Sequence, residues 1–145
     1  MGLVKAICIS EKKGTQKTFV KEANFIKNHG IENDAHAGDW HRQVSFLASE
    51  VILAFNARGA EVRDGAFGEN LIIEGLDLAS LPLGSRLKCQ DVEFELTQIG
   101  KDCQVRCQIY HKMGDCIMPT NGVFARVIKG GKIRVGAEIR CESSK

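Results

Sequence analysis

Short runs of strand-forming residues, each closed by a turn signal, recur along almost the whole of this 145-residue chain, and one stretch alone carries a helical pattern. That feature narrows the fold more than any other. A short strand buries one face at most, so many of them must close on one another or stack to make a core. Residues 3–10 (LVKAICIS) read as a strand, residues 18–26 as a second and residues 43–47 (QVSFL) as a short third. The run GENLIIEG predicts a strand from Asn70 to Glu74, and residues 85–89 and 91–98 read as a pair. In the second of that pair Val92, Phe94 and Leu96 alternate with Glu93, Glu95 and Thr97, which makes one face dry and the other wet. Residues 122–128 form another candidate strand, Lys129-Gly130-Gly131-Lys132 a hairpin turn, and residues 133–140 the last strand. The helix is predicted to start at Ser49, whose hydroxyl is placed to cap it. Val51, Ile52, Leu53 and Phe55 supply its apolar stripe, and Gly59 stops it. The reading is mainly β: one barrel-like domain over residues 1–145 with a few short helices.

Charge and composition then exclude several classes of function. Twenty Lys and Arg against eighteen Asp and Glu leave a formal charge of +2, too balanced for a bulk polyanion surface. Aromatic residues are 6% of the chain, which argues against a platform for stacked bases. No apolar run approaches the ~18 residues of a membrane span. The start, Met1-Gly2-Leu3-Val4-Lys5, moves straight into alternation without the apolar core of an export signal. The expectation is a cytoplasmic protein without nucleic-acid or membrane partners, and its six cysteines are read as thiols rather than bridges.

Three of those cysteines fall in the segment IGKDCQVRCQIYHKMGDCIMPTNG. Cys103, Cys107 and His111 are spaced four and four, so on a helix they would share one face. Lys101 and Arg106 sit close by in sequence, and positive charge favours the thiolate, the form that attacks, carries sulfur or binds a soft metal. Three readings stay open: buried apolar thiols, a zinc site formed by Cys103, Cys107, His111 and Cys116, or a reactive or metal-ligating thiol serving a cofactor.

Residues 27–42 (KNHGIENDAHAGDWHR) form a long polar loop, in which His36, Asp39, Trp40, His41 and Arg42 crowd together. Such a loop either satisfies its own backbone or grips an anion, with Arg42 as a planar fork for phosphate and the histidines as donors. In Gly65-Ala66-Phe67-Gly68-Glu69-Asn70 the glycines permit close backbone approach, and Glu69 and Asn70 are placed to meet the edge of a heterocycle. The chain contains no P-loop, no strand–GxGxxG–helix unit, no GxSxG and no HExxH.

DAHAGDWHRQVSFL, then GAFGENLIIEGLDLASLPLGSRL, then TQIGKDC and CIMPTNGVFARVIKGGKI together resemble the small bacterial MOSC domain, named for the C-terminal domain of molybdenum cofactor sulfurase. The resemblance runs over nearly the whole chain and keeps the motif order. It implies a MOSC-type β-barrel that binds the molybdenum cofactor (molybdopterin), a pterin with a dithiolene and a phosphate. It also implies a cysteine just after a strand that ligates molybdenum or carries sulfur. Counting forward from Leu96-Thr97-Gln98 places that thiol on Cys103; counting back from Gly114-Asp115 places it on Cys107. The pair can also work together, one reactive and one resolving. His36 matches the family's loop histidine. The implied cofactor-binding set is His36, His41, Arg42, Glu69, Asn70, Lys101 and Arg106, with Cys103 or Cys107 on the molybdenum. The implied role is cofactor maturation, sulfuration or delivery, with cofactor-biosynthesis proteins or acceptor molybdoenzymes as partners. Two alternatives stand beside it. One is a molybdenum-dependent reductase of N-hydroxylated bases or amines that needs an electron-donor partner. The other is a zinc-stabilised β module without catalytic activity.

Overall fold

Most strands form where the apolar pattern places them, the runs 18–26 and 133–140 each dividing in two, and the computed structural model, which describes residues 2–12, 16–100, 117 and 121–142, shows how they join. In chain order they are β1 (Gly2–Ile9), β2 (Thr18–Val20), β3 (Glu22–Ile26), β4 (Gly30–Ile31), β5 (Val44–Ala48), β6 (Leu71–Glu74), β7 (Arg86–Cys89), β8 (Val92–Ile99), β9 (Val123–Lys129), β10 (Gly131–Arg134) and β11 (Glu138–Glu142). One helix, α1 (Ser49–Ala57), follows β5, and a short 3-10 turn spans Leu78–Ser80. The large sheet runs β11-β7-β8-β9-β5-β6-β1-β2, and β11 also pairs with β1 through Gly2↔Ile139 and Leu3↔Glu138. That pairing closes seven strands into a barrel and leaves β2 as a flap on β1. Closure removes the open edges that invite aggregation. The pair β5–β6 is parallel and the other pairs are antiparallel.

Two apolar layers explain the sequence pattern. The barrel interior holds Val4, Ile7, Val44, Phe46, Leu71, Ile73, Leu87, Phe94, Leu96, Val123, Ala125 and Val127 among others. Phe94 sits at its centre, edge-on to Phe46 at 5.1 Å and to Phe25 at 5.5 Å between ring centroids. A second layer lies outside, where α1 covers the neighbouring strands β5, β6 and β1 with Ile52 and Phe55 packed on Leu47, Ile72, Ala6 and Cys8. Strands buried on both faces read as unbroken apolar runs. That is why AICI, SFLA and LIIE lack the alternation of β8, whose Glu93, Glu95 and Thr97 are only partly buried.

Four local expectations are corrected. Ser49 does not cap α1: Ala48 holds the cap position in extended conformation, with no side-chain cap bond, and Ser49 is the first helical residue. Leu53, placed in the buried stripe from sequence, is 64% exposed, because Ile52 and Phe55 set the inner face of a helix only nine residues long. Gly130-Gly131 is not a hairpin turn. β10 pairs with β3 rather than with β9, so the glycines carry the chain from the barrel into a separate sheet of order β10-β3-β4. A Cβ on Gly130 would lie 2.6 Å from the Phe25 carbonyl oxygen, so only glycine permits that crossing. The single strand expected over 18–26 breaks at Lys21 for the same reason: β2 belongs to the barrel sheet and β3 to the small one. Gly59, in contrast, ends α1 as expected, with φ of +99° and its N–H on the Asn56 carbonyl.

Candidate functional site

The polar loop after β4 is tied down at many points, and its ties bring three of the predicted residues to one cleft. The Ala35 N–H donates to the Ser10 carbonyl at 2.7 Å, and the Gly38 N–H to the His29 carbonyl at 2.7 Å. The Trp40 indole N–H donates to the His36 carbonyl at 2.8 Å, which folds the loop over itself. The resulting cleft is lined by His36, Trp40, Arg42, Ser45, Phe67, Gly68, Asn70 and Phe124. It therefore joins the loop, the start of β5, the GAFGEN turn and β9. Gly68 has φ of +80°, and a Cβ built there would meet nothing within 4 Å, so its side of the cleft is open space.

Arg42 gives the cleft its charge. Its guanidinium lies 4.7 Å from the Trp40 ring centroid and 5.6 Å from that of Phe124. Both rings pack against the fork. Its Nε is buried without a hydrogen-bond partner, as are Gln43 Nε2 and Arg126 Nε among the described residues. A buried donor without an acceptor is costly, and a bound anion would supply the acceptor. Arg126 pairs with Asp39 at 3.5 Å on the outer side of the loop. His41 turns away from the cleft lining, its Nε2 2.8 Å from Gln98 Oε1, while the Thr97 hydroxyl donates to the His41 carbonyl.

Glu69 and Asn70 are fully buried, and their polar atoms serve the protein itself. The Glu69 carboxylate accepts the Gly65 and Phe67 N–H groups, each at 3.0 Å, which shapes the turn below the cleft. Burial is the main cause that raises its pKa from 4.5 to about 7; the backbone donors pull it down and nearby Asp64 pushes it up. Asn70 stitches three strands: its Oδ1 accepts from the Ser45 N–H at 2.9 Å, and its Nδ2 donates to the Cys8 carbonyl at 3.0 Å. Asn70 still forms part of the cleft wall, whereas Glu69 does not.

Beneath the cleft lies a buried network that sequence reasoning missed. Lys17 and Asp34 form an ion pair at 2.6 Å with both side chains at 0% exposure. Asp34 Oδ1 also accepts the Ser10 N–H at 3.1 Å, and its Oδ2 accepts from Asn70 at 3.2 Å. Lys17 Nζ further reaches Ser10 Oγ at 3.3 Å and His36 Nδ1 at 2.9 Å. Lys17 stands in a polar stretch that signals only a turn, so nothing in its neighbours marks it. Asp34 opens the DAHAGDWHR motif and was within reach of motif reading.

Cys103, Cys107, His111, Cys116, Lys101 and Arg106 lie outside the described residues, and so do the sulfur-transfer and zinc readings built on them. The root of that segment is described. The Gly100 N–H donates to the Gly122 carbonyl at 2.6 Å, and Ile99 pairs with Val123, one residue before the Phe124 that lines the cleft. The described cysteines are of another kind. Burial pushes the Cys8 thiol up to about 12, with Glu69 adding to the rise, and the Cys89 thiol up to about 11. Neither is suited to thiolate chemistry. Among the described residues there is no group of three or more potential metal ligands, and no helix is long and apolar enough to cross a membrane.

Comparison with known proteins gives a consistent picture. The family model of the MOSC domain matches residues 33–140. No curated protein matches the sequence. Among solved structures, the YuaD protein of Bacillus subtilis is similar with a TM-score of 0.83 and 18% identity, over 100% of this chain and 98% of that one. YiiM from Geobacillus stearothermophilus follows with a TM-score of 0.74 and 21% identity, covering 99% of this chain and 76% of its own. YiiM from Escherichia coli has a TM-score of 0.72 and 18% identity, covering 100% and 71%. At these identities the likeness establishes the fold.

Proposed function

The chain belongs to the MOSC domain family, and from that premise we propose that it binds the molybdenum cofactor and acts in its maturation, sulfuration or delivery through a thiol of the segment between Gly100 and Gly122. The observation that carries this reading is the Arg42 guanidinium, packed against two rings with its Nε lacking an acceptor, beside His36 and Asn70 in a cleft at the root of the cysteine-bearing segment.

The residues present fit an anionic group. Arg42 offers an unpaired donor at Nε, Gly68 leaves room, and Trp40 and Phe124 pack against the guanidinium. Arg42 would hold the phosphate of the cofactor, and His36 a second acceptor on it. Once bound, the cofactor supplies a soft metal–sulfur centre with an affinity for thiolates. Cys103 and Cys107 are the candidate thiols. Lys101 and Arg106 would favour the thiolate. Glu69 supports the turn, and His41 steadies the loop against β8.

The test is retention. Protein expressed with cofactor supply should carry molybdenum and pterin. Arg42→Gln should weaken pterin retention by about 10-fold or more, as expected for loss of a charge-assisted hydrogen bond. Cys103→Ser and Cys107→Ser, read for molybdenum and labile sulfur, identify the thiol. No pterin in the wild-type protein, with both serine variants indistinguishable from it, would overturn the reading. One zinc per chain and unfolding by chelator would replace it with a metal-stabilised module. Turnover of N-hydroxylated substrates with a dye as electron donor would move it to the reductase branch.

A further inference from the structure

We infer that Glu69 is a proton-controlled latch on the cleft wall: ionised, it ties down the turn that carries Phe67 and Gly68, and on protonation it lets the Phe67 tie go and weakens the cleft's hold on an anion. The second half rests on the reading of the cleft as the ligand site; the first stands without it.

Both ties need an ionised carboxylate. Glu69 Oε2 accepts the Gly65 N–H and Oε1 the Phe67 N–H, each at 3.0 Å. A carboxylate accepts equally well at both oxygens, whereas a carboxylic acid carries a hydroxyl on one of them. Protonation therefore weakens one tie and adds a donor among donors. The two ties are not equally easy to release. The Gly65 bond is buried, and Gly65 is also held by its carbonyl, which accepts the Lys17 N–H at 2.9 Å. The Phe67 bond is only part-buried, so its N–H can turn to water at less cost. Phe67 and Gly68 both line the cleft, so releasing Phe67 alters the wall that a ligand meets.

The charges around Glu69 set where the latch works. Asp64, on the same connection, adds negative charge, and the buried Cys8 thiol of β1 faces it as a neutral group. Lys17, just before β2, has its ammonium paired with Asp34. Arg63 is bonded to Gln16, Arg58 of α1 lies over the Phe55 ring, and His36 and Arg42 line the cleft. Among the described residues no cation pairs with Glu69, and burial raises its pKa to about 7. The cleft as it stands carries both ties, so a ligand bound there favours the ionised carboxyl and its affinity falls as pH drops below 7. Protonation of His36 or His41, or the loss of repulsion from Glu69 itself, would move an anion's affinity the opposite way, which makes the sign diagnostic.

NMR on carbon- and nitrogen-labelled protein between pH 5.5 and 8.5 tests the latch. The Glu69 carboxyl carbon and the Phe67 amide should titrate together near pH 7, and the Gly65 amide should move less. Glu69→Gln, equal in size and uncharged, should hold the Phe67 amide at its low-pH position throughout, and its other amides report the fold. A Phe67 amide that ignores the Glu69 carboxyl, or whose profile persists in Glu69→Gln or vanishes in His36→Gln or His41→Gln, would overturn the latch. Sulfate, whose charge is constant over this range, tests the coupling through the Gly68 amide. It should bind up to about 10-fold more weakly at pH 6 than at pH 8, and Glu69→Gln should abolish that difference. Equal or tighter binding at pH 6, or no response at either pH, would overturn the coupling. No measurement here uses the cofactor, so a protein that titrates in this way yet retains no pterin fails the proposed function and not the latch.

Discussion

Glu69 has no exposed surface, and each of its carboxylate oxygens accepts one backbone N–H of the turn that carries Phe67 and Gly68. Its pKa is raised from 4.5 to about 7 in the folded chain, chiefly by burial. Between those values the native state holds a proton that the unfolded state has released. Stability therefore falls as pH rises from about 4.5 to about 7, and levels off above. At about 1.4 kcal/mol per pH unit the effect is on the order of 3 kcal/mol. Urea unfolding at pH 5 and pH 8 should show this loss in the wild type and a much flatter profile in Glu69→Gln. Thiols give a second test. Cys8 and Cys89, pushed up to about 12 and about 11, should resist iodoacetamide in the folded protein and react only on unfolding, as peptide mapping would show. At this scale the sequence was partly legible. His36, Arg42 and Asn70 were singled out and line one cleft, because motif residues clustered on loops tend to converge. Lys17 was invisible, since its role depends on a cation being folded inward against Asp34, a tertiary fact with no local signature.

Among the elements, α1 shows how a short helix is read wrongly and then corrected. Four apolar residues in five positions cannot all face inward on a 3.6-residue turn. Ile52 and Phe55 take the inner face, and Leu53 is left in solvent. Phe55→Ala should cost about 3–5 kcal/mol, because it empties the layer between α1 and the barrel. Leu53→Lys should change stability by no more than about 0.5 kcal/mol. Chemical denaturation of the two variants separates these outcomes. The strands were legible because turn residues punctuate them, and β8 because it alternates. What the pattern could not give was partnership. Gly130-Gly131 has the composition of a hairpin turn, yet β10 leaves β9 and joins β3, since Phe25 and Ile133 fill the barrel interior from the second sheet.

On the scale of the whole molecule, closure depends on the last strand. β11 pairs with β7 on one side and with β1 on the other, so the two ends of the described chain meet. Deleting residues 138–145 should open the barrel and abolish cooperative unfolding by circular dichroism, with β1 and β7 left as bare edges. The motif order over the chain made the family legible, and the family brought the barrel with it. The clasp between the Gly100 N–H and the Gly122 carbonyl has a consequence of its own. It joins the residue directly before the thiol-bearing stretch to one directly after it, at the end of the β8–β9 pair. Whatever that stretch holds is thereby tethered at both ends to one point of the vessel, while Ile117, buried beside Phe55 and Leu47, ties its far end to the scaffold's own stability.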